Sequence, residues 1–156
     1  MKFGFALLFI CTAIFANGQT NIPSFGMVTD EEKNLKECIF DKSASAVVLL
    51  DLAQSNHDEE WALITTNRVK YKILKESGLS YGNISIYYDT RDAYEEITDI
   101  EAVVHTTDAN GVPVSIPLDR KSIYKNKVDE NRSVVKIALP GIKVGTIFEY
   151  LSLIHI

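Results

Sequence analysis

The residues able to do chemistry here are few and widely spaced. Cys38 offers a thiol, and His57 and His105 offer imidazoles that could serve as its base. A thiolate nucleophile needs such a neighbour to lower its pKa. The local pattern around Cys38 argues against that role. Leu35, Cys38 and Ile39 fall at i, i+3 and i+4, which on a helix makes one apolar stripe. A packed thiol is therefore the preferred reading. His57 is followed by Asp58, Glu59 and Glu60, a set of metal-ligand types. Contiguous residues of an extended chain point alternately apart, so a solvated turn explains them better than a metal site. His105 sits in a strand-like stretch and reads as a surface or interface residue, while His155 lies in an anomalous tail.

Two charged groups remain. Asp89, Asp92, Glu95, Glu96, Asp99 and Glu101 form an acidic region. Paired carboxylates hydrolyse glycosides only when held at a fixed separation. The region also lacks the spacing and glycine of a calcium loop, so a solvated edge is the expectation. Arg68, Lys70 and Lys72 form a one-sided basic row, read first as a solvated face. Its other reading is a receptor for an acidic surface, with the acidic region itself as one candidate across neighbouring strands. On these readings the chain has no catalytic, cofactor-binding or metal residues, and needs no cofactor.

The elements that would position these residues are mostly strands. Thr29 and Glu32 have capping-box spacing, so one short helix is expected from about residue 30 to Cys38. The run 46–53 (AVVLLDLA) reads as a buried strand, and 54–60 as a polar turn. In 61–74, Arg68, Lys70 and Lys72 alternate with Val69, Tyr71 and Ile73, the period of a half-solvated sheet. Further strands are expected over 84–88, within 93–107, and over 112–118, 122–128 and 133–139, with a last one opening at Gly145. Asn110-Gly111 marks a hairpin in which both turn residues take positive φ. Pro113 and Pro117 cannot donate to a ladder, which puts 112–118 at a sheet edge. The stretch 136–150 (KIALPGIKVGTIFEY) reads as a hairpin-like unit. Seven or eight strands with frequent turns make the fold class mainly β: an antiparallel sandwich or open barrel with one short N-terminal helix.

Composition narrows the function. The 156 residues carry 21 acids against 16 bases, a net charge of −5. Nucleic-acid binders show a basic excess instead, so that partner is not expected. Lys2, the apolar run after it and Ala16-Asn17-Gly18 have the form of an export leader over 1–18, with Gln19 as the new N-terminus. The membrane then matters only during export, and the destination is the periplasm, the cell surface or the medium. Cys11 leaves with the leader, so Cys38 has no intramolecular partner.

From Phe25 to Tyr150 the chain resembles the DUF3857 family, a β domain that precedes transglutaminase-like domains in exported proteins of Bacteroidetes. The carriers are Phe25-Gly26 with Val28-Thr29, Ser45-Ala46-Val47-Val48-Leu49, and Arg68-Val69-Lys70-Tyr71-Lys72-Ile73-Leu74. Gly78-Leu79, Leu118-Asp119-Arg120-Lys121-Ser122-Ile123 and Leu139-Pro140-Gly141-Ile142-Lys143-Val144-Gly145-Thr146-Ile147-Phe148-Glu149-Tyr150 follow in order. The resemblance implies a longer protein with a Cys/His/Asp core further along, so the expected role is a non-catalytic accessory or interaction domain whose partner is that following domain. The tail 151–156 (LSLIHI) departs from the family pattern and reads as a non-native or truncated end. The alternative function is a stand-alone secreted β module that presents Trp61, Tyr81, Tyr87, Tyr88 and Tyr94 to a glycan or peptide.

Overall fold

The computed structural model describes residues 22–156, so the leader and its cleavage site lie outside the described residues. One helix, α1 (Asp30–Asn34), precedes eight strands: β1 (Ala46–His57), β2 (Leu63–Ile73), β3 (Asn83–Asp89), β4 (Glu96–Thr107), β5 (Pro113–Pro117), β6 (Ile123–Lys127), β7 (Arg132–Ala138) and β8 (Ile147–His155). The strands form two antiparallel sheets with no closed barrel. The larger has the order β1-β2-β8-β4-β5 and the smaller β3-β7-β6. Ile84, Val135 and Ile137 of the smaller sheet pack against Ile73, Ile97, Ala102, Val104 and Phe148 of the larger, making a sandwich with one apolar core. Phe148 is fully buried and stacks on Tyr71 with ring centroids 5.2 Å apart.

Several local expectations are corrected. The helix ends at Asn34, because Leu35 takes extended dihedrals (φ −61°, ψ 118°). The carbonyls of Glu32 and Lys33, which the next helical N–H groups would have used, accept instead from Lys72 Nζ at 2.8 Å each. Cys38 and Ile39 therefore share no helical stripe, and Ile39 and Phe40 are exposed. The apolar run at 46–53 is not a buried strand. It opens the edge strand β1, which continues through residues read as a turn to His57. The β4–β5 hairpin forms, but Gly111 alone of its turn pair has positive φ (80°). Asp108 replaces the second positive-φ residue by accepting from Asn110 N and Val112 N through its carboxylate.

The stretch 136–150 is not a hairpin. β7 belongs to the smaller sheet and β8 to the larger, so Pro140 to Thr146 carries the chain from one layer to the other. β8 is the central strand of its sheet, paired with β2 from Lys72↔Ile147 to Ile64↔His155 and with β4 from His105↔Ile147 to Glu96↔His155. Residues of the tail 151–155 take part in both ladders. β5, with its two prolines, is an edge strand.

Phe148→Ala removes an aromatic ring from the point where both sheets meet. It is expected to cost about 3–5 kcal/mol, measured by urea denaturation. Val48→Ala on exposed β1 is expected to change stability by only about 0.5 kcal/mol.

Candidate functional site

The strand period places Arg68, Lys70 and Lys72 on the face of the larger sheet that points away from the core. Because β8 lies beside β2, Glu149 falls directly across from Lys70 on the same face. This face is not solvated. Lys70 is 1% exposed, Lys72 3%, Arg68 9% and Glu149 0%. The solvated reading of the basic row is thereby overturned, and its acidic counterparts are Glu149 and Glu32 rather than the 89–101 region.

Residues 22–34 form an arm that lies over the row. Arg68 Nε donates to Glu149 Oε1 in a short charge-assisted bond, and its Nη1 donates to Pro23 O at 2.6 Å. Lys70 Nζ donates to Met27 O at 2.8 Å and to Glu32 Oε1 at 3.1 Å, and lies 4.0 Å from Glu149 Oε2. Gly26 N donates to Glu149 Oε2 at 2.9 Å. Gly26 has φ +75°, the left-handed region that favours glycine, where the arm passes over Val103. Phe25 lies under the Arg68 guanidinium, 5.8 Å from its ring centroid. Burial pushes the Lys72 ammonium down from its ordinary value. Three cations thus face two carboxylates, and main-chain carbonyls accept from all three, while Arg68 Nη2 is buried without a partner.

Glu32 has a second task. Its carboxylate accepts from Thr29 N at 2.8 Å while Thr29 Oγ1 accepts from Glu32 N, so the capping box and the ion pair share one side chain. The sequence pattern located the box but not its link to Lys70. Glu149 was missed altogether. Its signal is an acid between Ile147 and Leu151 on one strand face, at the register of the basic row.

Beside the row lies a cavity of about 530 Å³, walled by Val28 and Lys33 of the arm, His105 of β4, Ser115 of β5 and Lys143 of the connection to β8. No acidic residue lines it. Lys143 Nζ is held by Thr107 O at 2.6 Å. His105 Nδ1 shares a 2.9 Å hydrogen bond with Ser115 Oγ, and its Nε2 is buried without a partner. Burial lowers the His105 pKa from 6.5, Glu149 opposes that and Lys70 adds to it.

The other candidates stay apart. Cys38 is a half-buried free thiol with no hydrogen bond to either histidine. His57 is exposed at the end of β1 and packs near Trp61. Among the described residues, no three His, Cys, Asp or Glu side chains converge as a metal site. Asp89 binds Arg91, which lowers its pKa, and Glu95 accepts from Asp89 N. Asp99 accepts from its neighbour Ile100 N, whereas Asp92, Glu96 and Glu101 are exposed. The proposed aromatic platform is dispersed too. Tyr88 packs against the core, Tyr81 stacks on Tyr71, and Tyr87 is exposed on the smaller sheet.

Residues 62–154 match the family model described as "Domain of Unknown Function with solved-structure structure (DUF3857)", more than half of the chain. No curated protein matches. A solved structure from Parabacteroides distasonis ATCC 8503, described as a "putative protease", is similar with a TM-score of 0.55 at 9% identity. The similarity covers 71% of this chain and 23% of that one, so the chain spans about a quarter of the solved protein's length. At this identity the likeness is one of fold.

Glu149→Gln leaves two cations buried against a neutral amide. It is expected to cost about 3–5 kcal/mol, read by urea denaturation, and to make the arm more sensitive to proteolysis. His105 adds a pH dependence. Its folded pKa lies below 6.5, so the unfolded chain takes up the proton first as the pH falls. The native state gains its full benefit above 6.5 and loses it below. His105→Asn is expected to flatten that part of the stability curve relative to wild type, with Glu149, Lys70 and Glu32 as the charged groups nearby.

Proposed function

The chain belongs to the DUF3857 family, and on that premise we propose that it is a non-catalytic accessory and interaction domain of an exported transglutaminase-like protein. Its partner would be the catalytic domain of that longer protein, in the periplasm or at the cell surface. One observation carries the reading. The densest set of ionisable groups, Arg68, Lys70, Lys72 and Glu149, is closed over by a polypeptide segment instead of opening to a substrate. Groups so placed hold chain against chain. All four side chains already bond to the arm or to one another, with Arg68 Nη2 alone left without a partner, and a nucleophile or general base needs a free lone pair within reach of the substrate. Cys38 and His105, which could in principle supply a nucleophile and base, share no hydrogen bond.

The test is genetic and enzymatic. The native reading frame past the codon for Tyr150 is expected to continue into a domain with a Cys/His/Asp set, and a native stop codon after Ile156 would count against the proposal. Purified chain is expected to show no acyl transfer from a glutamine-containing peptide to an amine. Turnover that disappears in Cys38→Ala or His105→Ala would overturn the non-catalytic reading. Intact-mass measurement of the exported protein is expected to give a chain that begins at Gln19, with or without loss of ammonia from its N-terminal glutamine.

A second reading, a secreted glycan- or peptide-binding module, is favoured by the cavity beside the row. It has the size of a small-ligand site, and two cations line it, Lys143 and Lys33, the latter paired with Asp30 at 3.0 Å. NMR titration with galacturonate separates the two readings. Saturable shifts at Thr106, Ser115 and Lys143, absent with galactose and weakened at least tenfold by Lys143→Gln, would favour the binding module.

A further inference from the structure

The row on β2 binds its covering arm mostly through the arm's backbone. Pro23 O, Met27 O, Glu32 O and Lys33 O accept from Arg68, Lys70 and Lys72. Gly26 N donates to Glu149. Of the arm's side chains, Glu32 pairs with Lys70 and the Phe25 ring lies under the Arg68 guanidinium. Such a face recognises a polypeptide that brings main-chain carbonyls, two of them at the end of a short helix, and one acidic residue on that helix, and nothing in these bonds requires that the polypeptide belong to the same chain.

The connection leading out of the arm has a property of its own. Residues 36–45 form no helix or strand and lead from the arm to β1. Near its middle, Ile39 is 83% exposed and Phe40 96% exposed, adjacent large apolar side chains with no cover. A connection that opens would carry the arm away intact, and an incoming arm would restore every bond it made. Exchange of an identical element between copies is a low-cost route to a dimer for this reason. Two connections crossing would also bring two Ile39-Phe40 pairs together.

We propose that the Arg68–Lys70–Lys72–Glu149 face is a polypeptide-binding site that accepts the arm of a second copy of this chain. The product is a reciprocal dimer in which each copy contributes Glu32 to the other's site. The proposal goes beyond the accessory-domain reading and stands whether or not that reading holds.

Charge reversal tests it with the whole chain. Glu32→Lys sets a second ammonium against Lys70 within one chain, and Lys70→Glu sets a second carboxylate against Glu32. Each variant alone is repelled at its own site. In a reciprocal heterodimer both contacts become attractive. Analytical ultracentrifugation of the two variants mixed in equal amounts is expected to show a heterodimer that neither forms alone at the same concentration. A mixture that stays monomeric while both variants keep the wild-type circular dichroism spectrum would overturn the proposal. If Lys70→Glu fails to fold, shortening the connection decides. Deleting residues 37–41 from the otherwise wild-type chain prevents easy return of the arm to its own site, and hinge shortening favours exchange. That variant is expected to be a stable dimer, reduced at least tenfold in affinity by Glu32→Lys. A folded monomer at 500 µM would overturn the proposal as well.

Discussion

The buried carboxylate of Glu149 is the constraint on which the rest of the larger sheet depends. An ion removed from water loses several kcal/mol of solvation, which attraction to a partner restores only when its lone pairs are also satisfied. Glu149 meets that demand with Arg68 Nε, Gly26 N and the Lys70 ammonium. Each of these creates a further requirement. Arg68 and Lys70 need acceptors of their own, and Pro23 O, Met27 O and Glu32 supply them. The arm is thus part of the electrostatic structure of the face. Without it, water would have to reach four charged side chains at the middle of a sheet. Antiparallel sheets commonly leave one face to solvent; here the choice of Glu at 149 makes a covered face the consistent arrangement.

The same carboxylate ties the order of folding to the end of the chain. β8 lies between β2 and β4, so the larger sheet closes only when residues 147–155 are in place. β1–β2 and β4–β5 are hairpins of neighbouring segments, but Lys70↔Glu149 joins residues far apart in sequence. Closing such contacts costs loop entropy before any burial compensates it, which slows folding. Until β8 arrives, the basic row of β2 has no acidic neighbour within the sheet.

Much of the fold was legible because strand periodicity and turn chemistry are local. The strands, the β5 edge fixed by Pro113 and Pro117, and the Thr29–Glu32 box all followed from nearby residues. What failed was long-range. Alternation in β2 identified one polar and one apolar face, but a polar face is assigned to solvent only by default. Lys and Arg side chains can be buried when acceptors surround them, and those acceptors were mainly carbonyls, which every residue carries and no pattern reveals. The stretch 136–150 misled for a related reason. Pro140-Gly141 marks a reversal of the chain, yet whether the returning strand rejoins the same sheet depends on which sheet lacks a central strand. The apolar start of β1 likewise reads as a buried strand, although an edge strand packed on one face can carry the same residues.

The limits of the family match divide the charged face in an informative way. Arg68, Lys70, Lys72 and Glu149 all fall within 62–154, whereas Pro23, Gly26, Met27 and Glu32 precede it. The row and its carboxylate therefore lie inside the matched stretch, whereas the arm, like β1, lies before it. Glu149 answers part of the charge of the row, but one carboxylate cannot satisfy the donors of three cations, since each ammonium has three N–H groups and a guanidinium five. The matched unit by itself leaves donors unfilled on a sheet face. Main-chain carbonyls at turns and at a helix end supply acceptors, and a single acidic side chain brings the second negative charge. The arm meets both conditions with few specific residues, so the chemical demand of the face is for a chain whose main-chain carbonyls, two of them at the end of a short helix, and one well-placed carboxylate reach the row.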